Sequence, residues 1–294
     1  NNRELSEEVF ERVKVLFPFL YDINLTGGGE NFLYPKFFEI VELIKKYKVY
    51  TITSTNGVLI DKEKARQLVL SSFGLLSISI DGATKETLER IRRGADFENL
   101  IKNVKRINFF KRGYKKNRPK LKFHFVAMRD NIEELPKLVE LAHELWVEEV
   151  SVAYLTVPFK ELEDKSLFFY KELSDKFMLL SKKRGEELKV KVVLPPLFRD
   201  GTSKVEGRRK ICHSPWLYAA ISIDGKVYPC CVSSMEMGDL KNDDFETIWH
   251  GQNYIRLRRT VNSNDPLPEC KNCYHHATMD PNRIESHIPY LGKK

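Results

Sequence analysis

Along the first 195 positions, segments with the apolar spacing of helices alternate with segments typical of strands. Residues 6–17 predict a helix, because Val9, Val13 and Leu16 share one face. Apolar stripes predict further helices at 37–44, 61–70, 84–112 with a break near Gly94, 132–146 and 167–183. β-branched and aromatic runs predict strands at 21–25, 49–53, 75–80, 121–128, 149–154 and 189–194. This alternation predicts an α/β fold with a parallel sheet, either a barrel or an open doubly wound sheet.

The character of the chain changes after Pro195-Pro196. Short β-prone stretches and turns replace the long helices, and every cysteine of the chain lies beyond this point. We therefore predict two domains, residues 1–195 and residues 196–294.

Composition and charge narrow the class of protein. The 294 residues are 42% hydrophobic and contain no apolar run near the roughly 20 residues that cross a bilayer, which argues against an integral membrane protein. The net charge is +8, but the basic runs at 111–122 and 207–210 are typical of solvated loops. The sequence lacks a basic stripe interleaved with aromatic residues, which argues against a nucleic-acid partner. The first ten residues are polar, without a secretory signal, so we expect a cytoplasmic protein.

The cysteines indicate a metal site. Cys212, Cys230, Cys231, Cys270 and Cys273 are the only five, which is too few for a disulfide framework, and the number is odd. A Cys-x-x-Cys turn lets two thiolates converge on one centre, and other cysteines complete the coordination. Zinc and an iron–sulfur cluster both suit four thiolates, and the spacing leaves both open.

Small and polar residues follow four predicted strands. These strand ends are Gly27–Glu30, Ser54–Gly57, Ser79–Gly82 and Arg129–Asn131. In parallel α/β folds the chemistry lies at the carboxyl ends of the strands. Consecutive glycines let a ligand approach the backbone closely, and the neighbouring oxygens and amides suit a polar small molecule. Ordinary turns use the same residue types, but the occurrence of such segments at successive strand ends favours a binding site.

These segments resemble the radical S-adenosylmethionine (radical SAM) enzymes. The resemblance rests on Leu-Thr-Gly-Gly-Gly-Glu30, Ser-Thr-Asn-Gly57 and Ser-Ile-Ser-Ile-Asp-Gly82. Cys212-His-Ser-Pro-Trp216, Asp224–Cys231, Ile248-Trp249 and Cys270-x-x-Cys273 are similar to the SPASM or twitch extension of that family. The resemblance implies a partial (β/α)6 TIM-like barrel, lacking its first strand in this chain, followed by a small cysteine-rich SPASM or twitch domain.

The resemblance also implies a binding site for S-adenosylmethionine. Its amino group would lie at Gly27, Gly28, Gly29 and Glu30. Its ribose would lie near Ser54, Asn56, Ser79 and Asp81. Arg93 would reach its carboxylate, and the strand ending at Val126 would face its adenine. A carboxylate suits a guanidinium fork, and ribose suits side chains that donate or accept.

In the second domain, the resemblance implies one auxiliary 4Fe–4S cluster on Cys212, Cys230, Cys270 and Cys273, with Cys231 as the fallback for Cys230. Met279 and Arg283 stand where a full SPASM domain has two further cysteines, so a single twitch-like cluster is expected. The Cys-x3-Cys-x2-Cys loop of the family's catalytic 4Fe–4S cluster is absent from the sequence. Because residue 1 is Asn, we expect that loop on a preceding segment.

The implied activity is reductive cleavage of S-adenosylmethionine to a 5′-deoxyadenosyl radical, which abstracts hydrogen from a substrate. The substrate would be a peptide, a protein or a small molecule, and the reductant a flavodoxin or ferredoxin. Two alternatives stay open. One is a catalytically degenerate barrel that acts as an iron–sulfur binding or electron-transfer module, and the other is a zinc-stabilised α/β binding protein.

Overall fold

The computed structural model describes residues 4–200, 211–271 and 281–292. They form two compact units. One unit joins the chain up to Phe19 with the described residues from 211 to Ser286, and the other joins Leu20 onwards with the segment that begins at His287. The predicted division at residue 195 stays a prediction. Within the described residues, no helix is both long and apolar enough to cross a membrane.

The larger unit is built on six parallel strands in chain order. They are β1 (Asp22–Asn24), β2 (Tyr50–Thr55), β3 (Leu75–Ser79), β4 (Lys120–Ala127), β5 (Glu149–Tyr154) and β6 (Lys191–Val193). Each predicted strand is present, and the α/β class is confirmed. β1 and β6 are the two edges of the described sheet, as in a partial barrel. The expectation of a further strand before β1 stays a prediction.

Helices connect these strands. They are α2 (Phe37–Lys45), α3 (Lys62–Leu70), α4 (Lys85–Ile91), α5 (Phe97–Gly113), α6 (Leu135–Glu144) and α7 (Lys171–Leu188), and α1 (Glu7–Lys14) belongs to the smaller unit. The predicted break near Gly94 separates α4 from α5, and Gly94 adopts a positive φ of 80°. The predicted helix at 167–183 consists of a 3₁₀ turn at Leu167–Phe169 and then α7.

The two faces of the sheet differ in burial. Along β4, Leu121, Phe123 and Phe125 are fully buried, while Lys122 and His124 between them are half-buried. Successive strand residues point to opposite faces, so the apolar set forms one face and the polar set the other. Parallel sheets normally have both faces covered. The half-exposed polar face, which we call the concave face, is therefore a departure that suits ligand binding.

The smaller unit contains a three-stranded antiparallel sheet and short helices. Its strands are β7 (Ala220–Ile221), β8 (Lys226–Tyr228) and β9 (Gly238–Asp239), and its remaining helices are α8 (Ser214–Leu217), α9 (Phe245–His250), α10 (Gln252–Thr260) and α11 (Pro268–Lys271). Its core contains the buried side chains of Val227, Leu240, Ile248, Tyr254 and Leu257. Val13 of α1 packs against this core, which explains why the start of the chain belongs to this unit.

Candidate functional site

The glycine-rich loop after β1 leaves open space beside its backbone. A Cβ atom added to Gly28 or Gly29 would meet no atom within 4 Å, and one added to Gly27 would meet only the Asn31 Oδ1 at 4.0 Å. The glycines are therefore not required by packing inside the chain. An open backbone edge at the end of a parallel strand suits close approach of a ligand.

Glu30 fastens this loop to the end of β2. Its Oε1 accepts a hydrogen bond from the Thr55 hydroxyl at 2.7 Å, and its Oε2 accepts one from the Asn56 backbone N–H at 2.9 Å. Each carboxylate oxygen has a second lone pair, so Glu30 can still accept from a ligand ammonium. Its binding of a ligand stays a prediction, while its present bonds give it a structural role that the sequence did not indicate.

The ends of β1 and β2 are also joined through Thr26. Its hydroxyl donates to the Asn24 Oδ1 at 2.6 Å and accepts the backbone N–H of Ser54 at 3.0 Å. The Asn56 Oδ1 accepts the N–H of Val58 at 2.9 Å, closing a local turn. Ser54 and Asn56 therefore lie beside the glycine loop. Their contact with the ribose stays a prediction.

Asp81, after β3, is the most buried of the predicted site residues that carry a charge. It is 4% exposed, and its Oδ1 accepts the backbone N–H of Val126 at 2.8 Å. Asn131 donates its side-chain amide to the carbonyls of Asp81 at 3.1 Å and Val126 at 2.9 Å. Both backbone groups of Val126 are thus engaged.

Arg92 reaches this carboxylate. Its Nε lies 2.6 Å from the Asp81 Oδ2, with the Arg92 side chain 30% exposed. The predicted residue, Arg93, is exposed, and no ion pair of Arg93 occurs among the described residues. α4 ends at Ile91, and Arg92 adopts an extended conformation there, which turns its side chain away from the helical register.

Glu134 holds the turn that follows Asp81. Its Oε2 accepts the backbone N–H groups of Ala83 at 2.7 Å and Thr84 at 3.1 Å, while its Oε1 accepts the hydroxyls of Thr84 at 2.9 Å and Thr87 at 2.6 Å. Burial raises the pKa of Glu134, but these hydrogen bonds outweigh burial and hold the pKa below its ordinary value. The carboxylate is therefore ionised and fixes the first turn of α4.

The concave face carries polar side chains in register from strand to strand. Ser79 pairs with His124 and His124 with Ser151, while Ser77 pairs with Lys122 one row below. Burial is the main cause that lowers the pKa of His124, and the nearby charges of Lys122 and Arg92 lower it further. Asp81 acts in the opposite direction. His124 is thus held neutral in the ordinary range of pH, on the same face as the predicted Ser79.

The described cysteines belong to the smaller unit. Cys212 and Cys270 are partly buried and pack against its core, and the charge of Cys230 acts on buried Tyr254. Cys231 is exposed. Cys273 lies outside the described residues. Two of the four predicted ligands therefore pack against one core, and Cys230 is more buried than its fallback Cys231. The ligand set and the choice of Cys230 stay predictions.

No group of three or more His, Cys, Asp or Glu side chains among residues 4–200, 211–271 and 281–292 is arranged to hold a single metal ion. A 4Fe–4S cube places a separate iron at each thiolate, so its ligands stand farther apart than those of one ion. Burial beside an apolar core and a set of thiol donors fit such a cluster.

Comparison with known proteins identifies the family. The sequence profile of the radical SAM superfamily matches residues 2–142, and that of SPASM, an iron–sulfur cluster-binding domain, matches residues 212–274. The chain belongs to the radical SAM superfamily and carries a SPASM domain, as the resemblance of its motifs implied. The cofactors of these domains are S-adenosylmethionine and 4Fe–4S clusters.

Two relatives show how far the sequence similarity extends. The AdoMet-dependent heme synthase of Methanosarcina barkeri is 27% identical over 255 residues, which is 81% of this chain and 70% of the relative. The mycofactocin maturase MftC of Mycobacterium tuberculosis is 31% identical over 132 residues, which is 45% of this chain and 31% of the relative. Both relatives are enzymes.

Two solved structures share the fold. Streptococcus suis SuiB bound to S-adenosylmethionine has a TM-score of 0.65 at 17% identity, covering 91% of this chain and 62% of SuiB. The anSMEcpe enzyme with bound AdoMet and the Cp18Cys peptide has a TM-score of 0.61 at 19% identity, covering 92% of this chain and 78% of that one. The chain therefore spans less than two thirds of the length of SuiB and of MftC.

Proposed function

We propose that this protein is a radical SAM enzyme that binds S-adenosylmethionine at the ends of β1–β4 and holds its substrate on the concave face. The open backbone at Gly28 and Gly29 carries this proposal, because no packing contact among the described residues requires glycine at these two positions. When bound, a reduced 4Fe–4S cluster supplies the electron that splits S-adenosylmethionine into methionine and a 5′-deoxyadenosyl radical.

The residues of this chain bind and orient the cofactor. The loop from Gly27 to Glu30 offers carbonyl and carboxylate acceptors to its ammonium group. The Ser54 hydroxyl and the side chains near Ser79 offer partners to its ribose. Arg92, held by Asp81, offers the remainder of its guanidinium to the carboxylate. Arg93 remains the alternative for that role.

The substrate faces the second half of the sheet. His124 is held neutral and can accept or donate a hydrogen bond, and Ser151 lies beside it in register. A peptide substrate is supported by the maturase MftC and by the peptide in the anSMEcpe structure. A small-molecule substrate is supported by the heme synthase, whose similarity extends over 81% of this chain. We propose a peptide or protein substrate first, with the small molecule as the second candidate.

The smaller unit holds one auxiliary 4Fe–4S cluster on Cys212, Cys230, Cys270 and Cys273 in this proposal. Cys212 and Cys270 pack against an apolar core, and Cys230 is half-buried, which limits access of water and oxygen to the cluster. We also propose a flavodoxin or ferredoxin as reductant, since clusters of low reduction potential need a low-potential electron donor. A cytoplasmic location is part of the same proposal.

The activity is tested by incubating the anaerobically reconstituted native enzyme with S-adenosylmethionine and dithionite. We expect 5′-deoxyadenosine and methionine in equal amounts. Arg92→Lys should raise the KM for S-adenosylmethionine about tenfold or more, because it removes a planar fork. The matched variant Arg93→Lys should leave that KM unchanged. If S-adenosylmethionine binds tightly but is never cleaved, the protein is a binding module. If Arg93→Lys raises the KM and Arg92→Lys does not, Arg93 is the residue that binds the carboxylate.

A further inference from the structure

Tyr254 and Arg258 lie one turn apart on α10, in the core of the smaller unit. Tyr254 is 0% exposed, and its hydroxyl has no hydrogen-bond partner among the described residues. The Nη2 of Arg258 is also buried and also lacks a partner within the described chain. A buried donor without an acceptor costs free energy, so two of them side by side call for an explanation.

Both side chains are fixed in place by other contacts. The Arg258 guanidinium lies over the rings of Trp249 at 4.5 Å and Tyr254 at 4.8 Å. Its Nε donates to the carbonyl of Pro215 at 2.9 Å, and its Nη1 donates to the carbonyl of Trp249 at 2.7 Å. Only Nη2 is left over. The missing partner is therefore not a result of a loosely placed side chain.

Three of the cysteines are linked to Tyr254 or to the core that contains it. The charge of Cys230 acts on Tyr254, and Cys212 and Cys270 pack against the core of which Tyr254 is part. The backbone of Cys212 is joined to Asn262, just beyond α10, by hydrogen bonds of 2.9 and 3.0 Å in both directions. The element that presents the two donors is thus tied to one of the proposed ligands.

We infer that the Tyr254 hydroxyl and the Arg258 Nη2 donate hydrogen bonds to the sulfur atoms of the auxiliary cluster, and so raise its reduction potential. This inference rests on the cluster proposed above. Hydrogen bonds to cluster and cysteine sulfurs, together with net charge, set the potential of an iron–sulfur centre. A donor and a cation stabilise the reduced, more negative form. Both residues are positioning residues, since neither is proposed to ligate iron.

Tyr254→Phe tests the inference, because it removes the hydroxyl and keeps the ring that packs on Trp249. All cysteines of this chain lie in the smaller unit or just outside its described part, so the reconstituted 294-residue chain reports on this cluster alone. We expect wild-type iron content and an equilibrium constant for one-electron reduction at least tenfold lower, which is about 59 mV more negative. EPR-monitored redox titration measures the potential, and coupling to an exchangeable proton should be lost in hydrogen/deuterium ENDOR spectra.

Tyr290→Phe is the matched control. Its hydroxyl donates to Glu163 in the larger unit, so the potential should not change. If Tyr254→Phe does not assemble the cluster, site-specific 3,5-difluorotyrosine in place of Tyr254 should shift the potential upward, because the hydroxyl becomes a stronger donor. If the Tyr254→Phe or difluorotyrosine protein carries a full complement of iron and has the wild-type reduction potential, this inference is overturned, while the proposed cluster stands. A wild-type chain that assembles no iron–sulfur cluster would overturn the inference together with the proposed cluster.

Discussion

The carboxylate of Asp81 and the guanidinium of Arg92 form a largely buried ion pair at the end of β3, with the Arg92 Nε 2.6 Å from the Asp81 Oδ2. The other carboxylate oxygen holds the end of β4 through the N–H of Val126. One side chain thus couples two strand ends to the arginine that we propose for the cofactor.

Asp81→Asn removes the charge and keeps the shape. We expect the free energy of unfolding to fall by about 2 kcal/mol, since the half-buried guanidinium of Arg92 loses its ionic partner. The affinity for S-adenosylmethionine should fall as well. Urea unfolding and anaerobic calorimetry measure the two effects, and Asp22→Asn, at an exposed carboxylate, is the control. Wild-type stability and affinity in Asp81→Asn would show that the pair does not organise the site.

Glu134→Gln should loosen the turn between β3 and α4. The neutral amide has one acceptor oxygen for four donors, so we expect a loss of about 2 kcal/mol in the free energy of unfolding. The adjacent exposed residue gives a matched control, and Glu133→Gln should change stability by less than about 0.5 kcal/mol. Equal effects of the two variants would contradict a specific role for Glu134. Chemical denaturation of the same preparation compares them.

His124 should make stability depend on pH in a defined direction. Its folded pKa is lowered from the ordinary 6.5, so the unfolded chain binds the proton more tightly. Its contribution is therefore complete above about pH 6.5 and is lost as pH falls towards the folded pKa, with a slope of at most about 1.4 kcal/mol per pH unit.

Urea unfolding at a series of pH values measures this slope. His124→Gln should flatten the curve just below pH 6.5, whereas the exposed His250→Gln should not. A His124→Gln curve parallel to wild type throughout that range would contradict the proposed burial of the ring on the concave face.

The cysteines should separate in their effect on iron binding. Cys270→Ser removes a half-buried thiol that packs against the core, and we expect it to abolish the cluster of about four irons. Cys231→Ser removes an exposed thiol and should keep most of the iron. Iron analysis and the visible absorption of the reconstituted chain distinguish them. If Cys231→Ser loses its iron and Cys230→Ser keeps it, then Cys231 rather than Cys230 is the cluster ligand.

Much of the larger unit could be predicted from sequence because its strands and helices have strong local patterns. The same patterns hid the concave face. Lys122 and His124 alternate with Leu121, Phe123 and Phe125, which is the mark of a sheet with one polar face, although parallel sheets normally have both faces covered.

The network around the cofactor site was less accessible from sequence. Glu134 binds groups 47 to 51 residues earlier, and no local pattern reports such a contact. The choice between Arg92 and Arg93 depends on where α4 ends, and helix ends are the least predictable part of an element. Tyr254 fits an apolar helix face, so its unbonded hydroxyl appears only in the folded structure.

Binding of S-adenosylmethionine to Gly28→Leu tests the central claim most directly. A Cβ atom there meets no atom of the described residues within 4 Å, so folding should be unaffected while the proposed cofactor space is filled. Gly113→Leu, at the equally open end of α5, is the control. By anaerobic titration calorimetry we predict at least tenfold weaker binding for Gly28→Leu, with its Tm and the affinity of Gly113→Leu unchanged. Wild-type affinity in a folded Gly28→Leu protein, or no binding by the wild type, would contradict the proposed site.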